Sequence, residues 1–419
     1  MRQEGFPDPT RAAGLARLAS FAPRMGRDYA ATRNHDFGPT DRSNISLLSA
    51  HVRHRLVLER ELVATALAHH APSACDKFVQ EVFWRTYWKG WLEQRPSVWA
   101  GYRARLGDWQ GRLRSEGGLR RAYEDAVSGR TGITCFDAWA RELVETGYLH
   151  NHTRMWFASI WIFTLRLPWE LGADFTYRHF LDGDPASNTL SWRWVAGLHT
   201  RGKHYLARAA NIRAYTQGRF DPAGALDERA PPLAEDTPHP SPTPLPPATM
   251  RPSGRIALLL TEEDLNPETL PLAPARVVAV AGALATEERS PFPIGRPVRD
   301  FAEAALLDGL ARAANTFSVP AERLASFDAA VAWAKGVGVE AIVTAYAPAG
   351  PVAARLDRLA TALRAERIGL IRLRRDWDAA IWPHAARGYF QVKDRIPELL
   401  AALGLGQGKA ACLRRRAAV

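Results

Sequence analysis

A proline-rich break at Asp221–Arg255, DPAGALDERAPPLAEDTPHPSPTPLPPATMRPSGR, divides the 419-residue chain into two halves with different hydrophobic periods. It is poor in large apolar side chains, so it reads as a semi-extended linker rather than a packed element. Before it no stretch alternates like a strand. Apolar residues recur at helical spacing instead, as in Phe136, Trp139, Ala140, Leu143 and Val144. After it the strand-like runs IALLL, RVVAVAGAL, EAIVTAY and RIGLIRL alternate with helix-like runs near 300–314, 326–336 and 351–366. Strand–helix alternation implies a parallel sheet with helices on its faces. The expected architecture is therefore an all-α domain over 1–222, a linker over 223–254, a Rossmann-like α/β domain over 255–405 and a basic tail over 406–419.

The helical half places polar groups among an unusual density of aromatics. The chain has 14 tryptophans. His150, Asn151, His152 and Arg154 precede the apolar run Met155–Leu165, and Asp182, Asp184 and Asn188 lie between that run and Trp192 and Trp194. Burying such groups unpaired costs ~1–3 kcal/mol each, so they need partners, and a bound polar cofactor would supply them. The run MWFASIWIFTL is too short for a span of about 20 residues and reads as a buried core helix. Thr10 is a candidate helix N-cap, and Thr134 with Asp137 resembles a capping box. Ser43, Ser46 and Ser49 offer hydroxyls near a helix start, which is either ordinary capping or an anion seat. Lys77 to Trp91, KFVQEVFWRTYWKGW, gives one helix an aromatic face with Glu81 beside it. That is a core helix with a solvated acid, or a platform of the kind that holds a flipped base.

Charge and cysteines bound the alternatives. Lys and Arg total 55 against 44 Asp and Glu, a net charge of +11, which fits either a solvated arginine-rich surface or a polyanionic partner. Cys75, Cys135 and Cys412 are far apart and form no zinc pair or CxxC, which suits a reduced, cytoplasmic setting. The start MRQEGFPDPT has no apolar core and does not read as a signal peptide. No GxGxxG or Walker motif marks a phosphate site.

Four blocks in the first half, SNISLLSAHVRH, KFVQEVFWRTYW, FDAWARELVETGYLHNHTRM and PWELGADFTYRHFLDGDPASNTLSWRW, resemble in order the FAD-binding helical domain of the DNA photolyase/cryptochrome family. The second half resembles the same family's antenna domain, which normally comes first, so the chain reads as a circular permutation. In place of the family's arginine-rich turn stands Thr261–Asp264.

The resemblance implies roles residue by residue. Tyr29, Ser46, Leu48 and Ser49 match positions around the FAD phosphates, with Ile45 where a threonine is common. Gln80, Arg85, Asn151, Arg154, Asp182, Asp184 and Asn188 match the cofactor pocket. Arg154 is expected to pair with Asp182, Asp184 to accept from the flavin imide, and Asn188 to face N5. Trp192 and Trp169 match the inner electron-transfer tryptophans, with Trp109 a candidate outer member. Trp156 and Trp161 read as core aromatics or an alternative route. Glu81 matches the acid on the thymine carbonyls and is expected to be buried. Trp84 and Trp194 match the aromatic walls, and Met155 and Asn151 the cyclobutane-dimer type of pocket. His152 and Arg208 would approach DNA.

The implied function is a blue-light-driven lyase that repairs pyrimidine dimers in UV-damaged DNA by electron transfer from reduced FAD, with no membrane involvement. A second antenna chromophore of folate or deazaflavin type stays open. The alternatives are a cryptochrome-like photoreceptor that signals to a protein partner, and a cofactor-free basic helical protein.

Overall fold

The computed structural model describes residues 7–236, 238–247 and 251–405. The tail 406–419, with Cys412, and the first six residues lie outside the described residues.

The first half is helical: α1 (Arg11–Phe21), α2 (Arg27–Thr32), α3 (Ser49–Arg53), α4 (Glu59–His69), α5 (Pro72–Glu93), α6 (Pro96–Ser115), α7 (Gly117–Val127), α8 (Thr134–Thr146), α9 (Asn151–Ser159), α10 (Trp169–His179), α11 (Pro185–Ala196) and α12 (Ala209–Tyr215). Thr10 caps α1 as expected, its Oγ1 accepting from Ala13 N at 3.2 Å. The Thr134–Asp137 capping box does not form. Asp137 instead accepts from Thr131 N and Gly132 N and so ties down the preceding turn. The less patterned stretch 95–130 folds as α6 and α7, which are short of buried positions because much of their surface is solvated.

The apolar run after Arg154 is a core helix. Trp156, Phe157, Ile160 and Trp161 are fully buried, and α9 continues as a wider π-type turn over Ile160–Thr164. Wide turns of this kind recur at functional sites. No helix among the described residues is long and apolar enough to cross a membrane.

The second half is a five-stranded parallel sheet. It comprises β1 (Arg255–Thr261), β2 (Arg276–Ala283), β3 (Ala321–Arg323), β4 (Ala341–Ala345) and β5 (Gly369–Leu373), in the order β3-β2-β1-β4-β5. The helices α13 (Arg296–Phe317), α14 (Ala329–Val337) and α15 (Pro351–Ala365) cover its faces. The four apolar runs became strands. The edge strand β3, at three residues, is too short and too polar to carry a period of its own. The order reverses at β1 and β4, so the crevice at their carboxyl ends is where such sheets ordinarily bind ligands. The chain closes with α16 (Asp376–Ile381), α17 (Phe390–Lys393) and α18 (Ile396–Ala402).

These closing helices do not stay with the sheet. They pack on α5, where Trp377 meets Phe83 at 5.0 Å and donates to Thr86 Oγ1 at 2.8 Å. Gly90 of α5 lies so close to Trp382 that an added Cβ would meet its ring at 2.7 Å. The linker is irregular but anchored. Glu235 accepts from both Nη atoms of Arg193, at 2.6 and 2.7 Å, and Thr243 N donates to Gln94 O at 2.8 Å.

Candidate functional site

Several of the residues expected to hold a cofactor meet at one small cavity. Tyr29, Ser46, Leu48, Ser49, Asn151 and Glu81 line it, together with Arg33, Ile45, Leu47 and Tyr148, and its volume is about 110 Å³. The turn before α3 makes one wall. Leu47 there has φ +55°, the left-handed region, and strain of this kind in a non-glycine residue clusters at functional sites. Ser46 Oγ accepts from Leu48 N at 3.4 Å, and Ser46 O accepts from Arg17 Nε at 2.7 Å. These bonds fix the turn and leave the Ser49 hydroxyl beside the cavity. Asn151 enters from the first turn of α9, whose N-cap is His150, with Nδ1 accepting from His152 N at 3.2 Å.

Arg33 was not foreseen. It follows Tyr29 by four residues, one helical turn, so it shares the face that Tyr29 presents. Its guanidinium is ion-paired with Glu81. Glu81 is therefore not the buried acid the sequence suggested; its side chain is 33 % exposed and held by a cation.

Behind the cavity the expected pocket residues are satisfied by the protein's own groups. Arg154 makes a bidentate pair with Asp182, at 2.8 and 3.1 Å, and lies over the Phe180 ring at 3.9 Å. Asn188 donates to Ala173 O at 2.8 Å and accepts from Thr176 Oγ1 at 2.9 Å. Asp184 caps α11, accepting from Ser187 N at 2.8 Å, and stands 3.5 Å from both Arg85 and Lys89. Burial opposes its ionisation, but Lys89, Arg85 and Arg53 hold its carboxyl well below the usual range. Arg85 itself donates to Glu59 at 3.0 Å, and Gln80 to Asp76. Ser187 Oγ, buried beside this group, has no partner.

The aromatics expected around this pocket divide. Trp192 is 4 % exposed and donates to Thr176 Oγ1 at 3.0 Å, with Trp161 edge-on at 6.2 Å. Trp169 meets Tyr102 at 5.7 Å, and the adjacent Glu170 accepts from Trp109 Nε1 at 3.2 Å. Trp109 thus reaches α10 at the residue after Trp169. Trp194 stacks on Tyr205 at 6.0 Å, and Met155 is half-buried. Trp84 lies parallel to Tyr389, centroids 3.6 Å apart and planes at 14°. No local pattern announces Tyr389, which arrives from 305 residues further along the chain.

Two expected DNA contacts differ in kind. Arg208 is exposed. His152 is not available: it is 8 % exposed, stacks on Trp156 at 4.2 Å, and both ring nitrogens are engaged, with Asn34 O at 3.0 Å and Tyr205 OH at 3.3 Å. Its aromatic neighbours hold it in the core.

The acidic turn after β1 does structural work. Glu263 pairs with Arg53 at 2.7 Å, and Asp264 with Arg375 at 2.7 Å and Arg55 at 3.5 Å. Arg55 also reaches Asp378 at 2.6 Å. All these groups are buried, so the network joins the halves through charges that compensate one another. The sheet crevice is likewise taken up by the helical half. Glu93 of α5 accepts from Ala349 N at 2.9 Å, before the start of α15, and from Tyr346 OH.

A larger open groove of about 990 Å³ runs between α12 and residues 221–229. It holds none of the expected residues. The small cavity is the better candidate because its lining has the chemistry.

Residues 78–238 match the family model described as the FAD binding domain of DNA photolyase. A deoxyribodipyrimidine photo-lyase of Streptomyces griseus is 35 % identical over 187 residues, 41 % of this chain and 38 % of that protein. One from Thermus thermophilus is 33 % identical over 227 residues, 52 % of this chain and 50 % of its own. A solved class III photolyase of Agrobacterium tumefaciens superposes with TM-score 0.41 at 22 % identity, covering 50 % of this chain and 43 % of that one. The chain spans half or less of the length of these relatives. Residues 78–238 of the helical half are thus similar to the FAD binding domain of DNA photolyase.

Proposed function

We propose that this chain is an FAD-dependent, light-driven lyase that splits cyclobutane pyrimidine dimers in DNA, built with the family's two domains in permuted order. The observation that carries it is the convergence of Tyr29, Ser46, Leu48, Ser49 and Asn151 on one cavity within a chain that matches the photolyase FAD-binding domain. The donor set suits FAD: hydroxyls of Ser46 and Ser49 and the nearby Arg33 for the phosphates, and Arg154, Asp182, Asp184 and Asn188 for the flavin edge. Unpartnered Ser187 Oγ adds a free donor and acceptor there. The volume of about 110 Å³ is below the roughly 300 Å³ at which ligand pockets ordinarily begin, so the Arg33–Glu81 pair must part on loading.

When bound and reduced, FAD supplies the photo-excited electron that opens the cyclobutane ring. The protein's part is position and electrostatics. Glu81, released from Arg33, would face the pyrimidine carbonyls, and Trp84 and Trp194 would flank the flipped dimer. Trp192, Trp169 and Trp109 would carry electrons between pocket and surface. Net positive charge would add sequence-independent affinity that falls with salt. The test is illumination of the reduced protein with dimer-containing single- and double-stranded DNA, scoring restored thymines. Restoration on either substrate is expected. A flavin-loaded, photoreducible protein that restores none would overturn the reading.

A second reading is a flavin photoreceptor acting through a protein partner. Two observations favour it: His152 is withdrawn into the core, and Tyr389 covers Trp84.

A further inference from the structure

The tightest ring stack of the described residues joins the two halves at the expected substrate wall. Tyr389 lies on Trp84 at 3.6 Å and 14°, a face-to-face stack like that of a nucleobase on an aromatic platform. Tyr389 is 4 % exposed, and its hydroxyl donates to Gln80 O at 2.9 Å, a carbonyl on α5 one turn before Trp84. Its other ring neighbours also belong to this wall, Tyr87 at 5.6 Å edge-on and Phe390 at 6.5 Å. Trp88 leans on Trp84 at 5.3 Å and 37° and is itself buried. A base stacking flat on that face of Trp84 therefore meets Tyr389 first.

Tyr389 is packed inward from a short segment whose next residue faces solvent. It precedes α17, a helix of four residues, and follows Gly388. The next side chain, Phe390, is 70 % exposed. The hydroxyl bond, the stacked face on Trp84 and the edge of Tyr87 hold the ring, which shares the α5 core with Val392 and Ile396.

We propose that Tyr389 is a resident occupant of the base seat on Trp84, displaced when a flipped pyrimidine dimer enters. This rests on the reading of Trp84 as the substrate wall. The ring keeps Trp84 dry and stacked without DNA, and the incoming base exchanges one stacking partner for another. Undamaged DNA offers no extruded base and does not displace it. The seat is thereby selective at the cost of affinity, since binding includes unseating the tyrosine.

The experiment uses the purified flavoprotein in the dark. Binding of a dimer-containing double-stranded oligonucleotide and of its undamaged counterpart is measured for the wild type, Y389A and Y389F, with hydrogen exchange of segment 387–395 followed in the wild type. Y389A should bind damaged DNA about tenfold more tightly, the equivalent of one stacking contact, with undamaged DNA unchanged. Y389F, which lacks only the bond to Gln80, should fall between, and it keeps the test open if Y389A does not fold. In the wild type, damaged DNA should speed exchange of 387–395. Retained preference for damaged DNA with slower or unchanged exchange in 387–395, and no gain in either variant, overturns the occupant role alone. Absence of any preference for damaged DNA in all three proteins overturns the repair reading as well.

Discussion

Two crevices that could each hold a ligand have been treated in opposite ways. The cavity before α3 is walled by a strained turn, and some of its hydroxyls are spare. The crevice at the carboxyl ends of β1 and β4, the customary ligand seat of such a sheet, is filled by the neighbouring half. Glu93 takes the Ala349 N–H and the Tyr346 hydroxyl, and Glu263 and Asp264 take Arg53, Arg55 and Arg375. Polar groups in the first are arranged to receive; those in the second are already spent on one another. The α/β half thus serves the helical half first as a foundation.

The largest expected effect breaks the filled side. Replacing Arg55 by Met leaves Asp378 buried without its cation, and removing one partner of such a pair costs about 3–5 kcal/mol. A large fall in the midpoint of denaturant unfolding checks it; a change within ~0.5 kcal/mol would mean that the network carries no weight. Next, Glu93→Ala strands the Ala349 N–H and Tyr346 hydroxyl, which should cost about 1–3 kcal/mol, while flavin content per folded protein stays the same.

The receiving side should show the reverse pattern. Ser46→Ala with Ser49→Ala should weaken flavin retention about thirtyfold, each of the two lost hydrogen bonds contributing ~1 kcal/mol. Thermal stability of the flavin-free protein should move little. Flavin fluorescence on dilution reads the first and circular dichroism the second. Equal effects on both would erase the contrast between the crevices.

The smallest effect concerns pH. Burial pushes the Glu142 carboxyl up to about 7, against the pull of its partner Arg42. The folded state therefore favours the protonated form. That contribution is fully present below the unfolded value of about 4.3 and is lost as pH rises through about 7. Glu142→Gln should flatten this part of the stability profile, as denaturant titrations across that range would show.

Much of this was legible in the chain. The halves, the core helix after Arg154, the sheet strands except β3, the Arg154–Asp182 pair and the gathering of Ser46, Ser49 and Asn151 follow from period, polarity and resemblance. The misses share a cause. His152 has a polar name but a neighbourhood of Trp156 and Tyr205, and only packing reveals that. Thr261–Asp264 reads as a lost basic turn until Arg53 and Arg55 are seen opposite it. Tyr389 is one aromatic among many until the chain returns to α5. Partners distant in sequence decide each of these, and no local window contains them.

Helix α5 gives one flank to the pocket, through Glu81, and another to the closing helices, through Phe83, Thr86 and Gly90. A graft that exchanged the sheet half for a foreign one would consequently disturb the chemistry of the first half without touching any of its residues. The two halves are coupled through the rod they share.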